Sequence, residues 1–309
     1  MKIALDPHMH RHLPLPELCR KTAELGFEYI ELSPRDDFLP WWVRPRAHKE
    51  RVAEFRKALS DHGVKLASVL PMYRWASPHE DERQAAVRYW KEAIRATVAM
   101  DCDTMNSEFG RGPSPDRGHR SGNCCGGAGH FTHEHSEAAW WRSIEELVPI
   151  FEKEGVTLNM EPHPEDWCET LHPAIDMLKT IGSNNVKFLY CAPHTFYFGD
   201  DMGRMIRDAG PLIAHVHVAD TYNHKASSGL RYIVNPPGAK VTIHQHMDIG
   251  NGEIDWDVFF SSLAAVGFDG VVTACVFGWE ERADASGRFM RERIGHYVDK
   301  HFGAKAVRG

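Results

Sequence analysis

Two textures alternate along the chain. Short runs rich in apolar and β-branched residues occur at 2–6 (KIALD), 28–32 (EYIEL), 64–70 (VKLASVL) and 103–108 (DTMNSE). They recur at 156–161 (VTLNME), 186–191 (VKFLYC), 213–219 (IAHVHVA) and 270–276 (GVVTACV). Between them lie amphipathic stretches of helical period, such as Glu82 to Met100 and Glu137 to Glu154. Several of these stop at a glycine just before the next apolar run, in ELGFEYI, DHGVKLA, EKEGVTL and AVGFDGVV. Glycine past the end of a helix is the usual left-handed stop, so its recurrence marks repeated joints between helix and strand. Alternating strand and helix implies a parallel sheet with right-handed crossovers. Eight such units in 309 residues predict one (β/α)8 barrel spanning residues 1–309. An open doubly wound sheet is the competing architecture, but no G-x-G-x-x-G follows any predicted strand.

Composition narrows the class without changing the architecture. The chain is 42% hydrophobic and 26% charged, as a globular protein with a sizeable core is. Its formal net charge of -7 argues against nucleic acid as a partner, because a phosphate backbone calls for a basic face. No apolar run reaches the roughly 18–20 residues of a membrane span. The opening MKIALDPHMH meets Asp6 and Pro7 too early for a signal peptide, and seven irregularly spaced cysteines read as reduced thiols. A cytoplasmic location is the expectation.

In a barrel of this kind chemistry gathers at the C-terminal ends of the strands. Those ends carry Asp6, His8, Glu31, Arg35, Tyr73, Arg74, Glu108, Glu161, His163, Cys191, His194, His217, Asp220 and Cys275. His244 and His246 follow strand seven in VTIHQHMDIGNG, and IAHVHVAD repeats the same His-x-His spacing. Residues two apart on a strand face the same side, so each pair directs two imidazoles toward one site. A structural barrel has no reason to collect so many titratable groups on one rim.

HVHVAD followed by H-x-D-I-G-x-G-E-I-D-W resembles the xylose-isomerase-like barrel superfamily, and the resemblance covers nearly the whole chain. More narrowly, ALDP, ELSPRDDF, NSEF, EPHPEDW, YCAPHTF and SSGLRYIVNPPG are similar to IolH-type proteins of inositol catabolism. The superfamily includes sugar isomerases, ketose 3-epimerases, inosose dehydratases and endonuclease IV. In the ketose epimerases a divalent metal is held by Glu, Asp, His and Glu on strands five to eight. Glu161 and His217 match that pattern, whereas Cys191 and Cys275 stand at the strand-six and strand-eight positions. Three arrangements fit this departure. The cysteines ligate, in a zinc-favouring set; the site shifts toward His194, His244 and His246; or metal is absent and the cysteines pack. We take Glu161, His194, His217 and His246 as the expected ligands, a set suited to Mn, Zn, Co or Fe rather than Mg.

The resemblance implies an isomerase or epimerase acting on a sugar, keto-sugar or cyclitol, by deprotonation beside a carbonyl to an enediolate. His163 is the candidate base, with orientation of a metal ligand as the alternative role, and Glu161 and His244 complete the catalytic set. Arg35, Arg74, Glu108 and Arg231 are candidate substrate-binding residues, since the arginine fork suits hydroxyls, carboxylates and phosphates. The aromatic residues Trp41, Trp42, Tyr73 and Trp75 are either a wall beside a sugar ring or core. A lid-like loop is expected at about 110–135, rich in Gly, Pro and His. A lyase or dehydratase shares the first proton transfer. A DNA-repair nuclease is disfavoured by the lost carboxylates, and a sugar-binding barrel without catalysis stays open. Homo-oligomerisation is common among such barrels.

Overall fold

The computed structural model describes residues 1–33, 49–110, 131–198, 201–223, 245–303 and 306. Eight parallel strands close into a barrel in sequential order. They are β1 (Lys2–Leu5), β2 (Tyr29–Leu32), β3 (Lys65–Val69), β4 (Thr104–Glu108), β5 (Thr157–Glu161), β6 (Val186–Cys191), β7 (Ile213–Val218) and β8 (Val271–Ala274). Closure is made by β8 on β1, in a register running from Lys2 opposite Val271 to Leu5 opposite Ala274. Every strand lies within two residues, at either end, of its expected run.

Around the barrel run α1 (Leu15–Glu24), α2 (Lys49–Asp61), α3 (Glu80–Ala99), α4 (His133–Glu154) and α5 (Leu171–Ile181). They continue as α6 (Ala192–Phe196), α7 (Met202–Ala209), α8 (Trp256–Ala265) and α9 (Ala283–Phe302). The four glycines read as helix stops, Gly26, Gly63, Gly155 and Gly267, all take positive φ. The α4 helix begins four residues before the expected Glu137, and its cap explains why. The Thr132 side chain accepts from the third-residue amide, and the His135 ring accepts from the Thr132 amide. A capping box satisfies two orphan donors, so the polar turn His133–Ser136 joins the helix although it lacks an apolar stripe.

The main core fills the space between barrel and helices. Trp75 stacks on Trp90 at 4.7 Å between ring centres, and Trp140, Phe109 and Phe151 pack around them. Inside the barrel the filling is different. Glu31, Ser68, Asn106, Asn159, His215 and Thr273 are fully buried there and joined by hydrogen bonds. A layer of aliphatic side chains is the common solution in such barrels. Here polar groups occupy it, and each must find a partner to offset its lost hydration. This layer is the floor on which the titratable groups of the rim stand.

Candidate metal and acid–base centre

Glu31 is the hub of the floor. Its carboxylate accepts from Ser68 Oγ at 2.6 Å and Asn106 Nδ2 at 2.8 Å, and lies 3.2 Å from His215 Nε2 and 3.1 Å from His217 Nε2. Burial alone would keep it protonated, but His217 and His215 more than offset this and hold its carboxyl well below the usual range. Asn106 donates through the same amide nitrogen to His215 Nδ1 at 3.2 Å. His215 therefore accepts at Nδ1 and carries its proton on Nε2, facing Thr273 Oγ1 and Glu31. It is a neutral ring, and burial lowers its pKa accordingly.

His217 stands one pleat above and has a carboxylate at each nitrogen. Nδ1 lies 3.3 Å from Glu161 Oε1 and Nε2 lies 3.1 Å from Glu31 Oε1. Burial works against its charge, but Glu161 and Glu31 raise its pKa well above the ordinary value. Glu161 in turn is held well below its usual range, because His217 and His194 outweigh its burial. Two buried carboxylates thus face one imidazole, and their proximity favours the charged form of each.

His194, on the short α6 after β6, reaches the same place, with Nδ1 3.0 Å from Glu161 Oε1. Burial first, then the neighbouring His163, lowers its pKa to about 4, so the ring is neutral at physiological pH. His246 follows β7 in the HQHMDIG segment, and its Nε2 lies 3.2 Å from His194 Nε2. Its Nδ1 donates to the Cys275 carbonyl at 2.7 Å, and Phe277 stacks on the ring at 4.3 Å. Burial and His194 lower its pKa too.

The segment carrying His246 is anchored by Asp220 at the end of β7. Asp220 and Met247 exchange backbone hydrogen bonds. The Asp220 carboxylate accepts from the Thr221, Gly250 and Ile254 amides and from Trp256 Nε1, at 2.7–3.2 Å. A Cβ on Gly252 would come 2.3 Å from the Thr221 carbonyl oxygen, so only glycine fits that approach. The spacing V-A-D … D-I-G-x-G-E-I-D-W is therefore one folding unit, and its product is a fixed His246.

Among the described residues, ligand atoms in this region fall into three overlapping sets, each within 4.8 Å: Cys191, His194 and His246; Glu161, Cys191 and His217; and Glu31, His215 and His217. The four expected ligands come together in one buried region, distributed over the first two sets, with Cys191 common to both. A fourth set, Glu108, His163 and Asp166, lies beside them. His163 Nδ1 donates to the Pro164 carbonyl at 2.7 Å, and its Nε2 lies 3.8 Å from Glu108 Oε1. The ring meets His194 edge-on at 4.4 Å. Asp6, the β1 contribution, has its pKa raised to about 7 by burial and by Glu31, and accepts from Ser33 Oγ.

Other expected residues sit elsewhere. Arg74 is largely exposed and pairs with Glu82, away from the buried cluster. Trp75 is fully buried, with Nε1 donating to the Glu108 carbonyl, and Tyr73 packs against the core. Arg35, Arg231, His244, Trp41, Trp42 and residues 111–130 of the expected loop lie outside the described residues. Of the loop histidines, His135 caps α4 and His133 contacts the Trp167 carbonyl. The five described cysteines are buried free thiols. Among the described residues no helix is long and apolar enough to cross a membrane. Asn106, Ser68, Asn159 and Thr273 were not singled out from sequence. Their signal is only that of uncharged polar residues within predicted strands, which no motif marks.

A model of the xylose isomerase-like TIM barrel family matches residues 19–293. The inosose isomerase of Bacillus velezensis is 25% identical over 164 residues, 52% of this chain and 54% of that relative. The inosose isomerase of Bacillus subtilis is 26% identical over 136 residues, 43% of this chain and 45% of that relative. The chain thus spans about half the length of these relatives. Among solved structures, a crystal structure of the IolI protein with a zinc atom bound has a TM-score of 0.72 at 18% identity, covering 98% of this chain and 99% of that one. D-psicose 3-epimerase in the presence of D-fructose has a TM-score of 0.71 at 17% identity, covering 98% and 100%. At these identities the likeness is one of fold.

Proposed function

Since the chain belongs to the xylose isomerase-like TIM barrel family, we propose that it is a metal-dependent isomerase or epimerase of a keto-sugar or a cyclitol ketone of the inosose class. The observation that carries this reading is the buried convergence of Glu161, His194, His217 and His246 at the C-terminal mouth of the barrel, with His163 and Glu108 beside it. The narrower kinship with IolH-type proteins rests on the sequence motifs alone.

The donor set fits a divalent ion of the Zn, Mn, Co or Fe kind, being one carboxylate and three imidazoles. Glu161, His194, His217 and His246 are the residues that would hold it. Bound there, the ion supplies polarisation of the substrate carbonyl, which acidifies the neighbouring C–H. The chain's own residues move the proton. His163, with Nδ1–H committed to the Pro164 carbonyl, offers Nε2 as the base. Glu108 faces that nitrogen and stabilises the imidazolium once the proton arrives. Return of the proton to the enediolate, at the other carbon or the other face, completes isomerisation or epimerisation. Among the residues outside those described, Arg35, Arg231 and His244 are assigned here to substrate binding and proton return.

The test is proton exchange. Metal-loaded protein in D2O with an inosose, followed by NMR, is expected to place deuterium on the carbon beside the carbonyl and to form an isomeric ketone. An elimination product with loss of water would assign the same deprotonation to a dehydratase. Binding without exchange would leave a sugar-binding barrel.

A further inference from the structure

Cys191 enters two of the three ligand sets at the centre, and the reading above gives it no task. We propose that Cys191 is a thiolate ligand, joining His194 and His246 in a site selective for zinc-class ions over Mn and Mg. This inference rests on the metal-dependent reading and refines it.

The argument begins with His246. A carbonyl oxygen only accepts, so the 2.7 Å contact with Cys275 O fixes the His246 proton on Nδ1 and leaves a lone pair on Nε2. Stacking on Phe277, 10° from parallel, fixes the ring plane. The lone pair is directed toward His194 Nε2, 3.2 Å away. Two imidazole nitrogens 3.2 Å apart subtend about 100° at an ion about 2.05 Å from each, close to a tetrahedral angle. Cys191 Sγ lies within 4.8 Å of both, and all three residues are buried. The His246 ring has the Cys275 carbonyl at its other nitrogen, the kind of outer partner that orients an imidazole ligand.

The strand-and-turn sequence explains why these three residues meet. Cys191 ends β6 and His194 follows it on the first turn of α6, where Thr195 Oγ1 donates to the Cys191 carbonyl at 2.7 Å. His246 arrives from the segment that Asp220 anchors. A thiolate is a soft donor that Mg and Mn take poorly, whereas zinc and cobalt take it readily. Only the thiolate ligates, so formation of the S–metal bond releases the thiol proton to solvent.

Cobalt(II) reports this directly, because a thiolate–cobalt bond gives a near-ultraviolet charge-transfer band that carboxylate and imidazole ligands do not. Chelator-treated full-length protein would be titrated with cobalt(II), following absorbance, bound metal by dialysis and proton release with an indicator. The band is expected in the unmodified protein and in Cys275→Ala. It should be lost in Cys191→Ala and Cys191→Ser, with zinc affinity falling at least about tenfold, the lower end of what an outer partner alone costs. Matching circular dichroism spectra establish that the variants fold, and Cys191→Ser keeps the side-chain volume. Cobalt bound without the band, or a band that survives Cys191→Ala, overturns the thiolate ligand and leaves the metal reading standing. No cobalt bound by the unmodified protein overturns both.

Discussion

Asp220→Asn should damage this protein far more than its near-isosteric change suggests. Every partner of the Asp220 carboxylate is a donor: the Thr221, Gly250, Gly252 and Ile254 amides and the Trp256 indole N–H. Burial pushes its pKa up, yet a protonated carboxyl would aim a hydroxyl at donors, so the ionised form is the one the pocket accepts. An asparagine supplies one acceptor oxygen and presents an NH2 where two donors converge. Either amide orientation strands about two N–H groups, at roughly 1–3 kcal/mol each. Relief of the buried charge returns part of that, which leaves a net loss of about 2–4 kcal/mol. Asp220→Ala removes both acceptor oxygens but admits water, so it should fall in the same range. Urea unfolding measures the loss, and native-state hydrogen exchange localises it to the Gly250 and Ile254 amides. Because the segment carries His246, cobalt or zinc affinity should fall alongside stability. An Asp220→Asn protein within about 0.5 kcal/mol of the unmodified one would refute the argument, since surface-like tolerance is incompatible with an all-donor pocket.

Further expectations follow from other sites. Gly270→Ala would put a Cβ 1.9 Å from the Ala214 carbonyl oxygen, a backbone atom of β7 that cannot yield. A loss of at least about 3 kcal/mol, or failure to accumulate folded protein, is expected, and a normal melting curve would contradict it. His8 has its pKa lowered from an ordinary 6.5 to about 4, by burial and then by Arg11. Between those values the unfolded chain takes up a proton that the folded protein refuses. Its contribution is thus present above about pH 6.5 and lost as pH falls toward 4, at most about 3 kcal/mol in all. His8→Gln should flatten that acid limb in urea melts at pH 7 and pH 5, and an unchanged slope would assign the limb to other groups. His163→Gln should lower isomerase kcat by about 10²–10⁴-fold with melting temperature and bound metal unchanged. Parallel loss of metal would instead make His163 an orienting partner of the centre.

The sequence determined the eight alternating units, and with them the closed barrel, because hydrophobic period and helix-stop glycines are local properties. Strand runs matched within two residues, and Gly26, Gly63, Gly155 and Gly267 adopted the conformation their positions implied. It also determined that titratable groups crowd the rim, since strand ends and the His-x-His pairs can be counted along the chain. Tertiary structure decided which of them work together. Helix α4 starts early because a threonine and a histidine three residues apart cap it, a contact with no hydrophobic signature. Arg74, at a strand end like the others, turns outward to Glu82. Glu31, on β2, becomes the hub only because β3, β4 and β7 aim Ser68, Asn106, His215 and His217 at its carboxylate across the barrel. Protonation is the most delocalised property of all. His217 is pushed toward its charged form, His215, a pleat below it, toward its neutral form, and His246 holds its proton on Nδ1, although three identical letters encode them. Each state is set by which donor or acceptor a distant strand places within about 3 Å, and spacing along the chain does not carry that information.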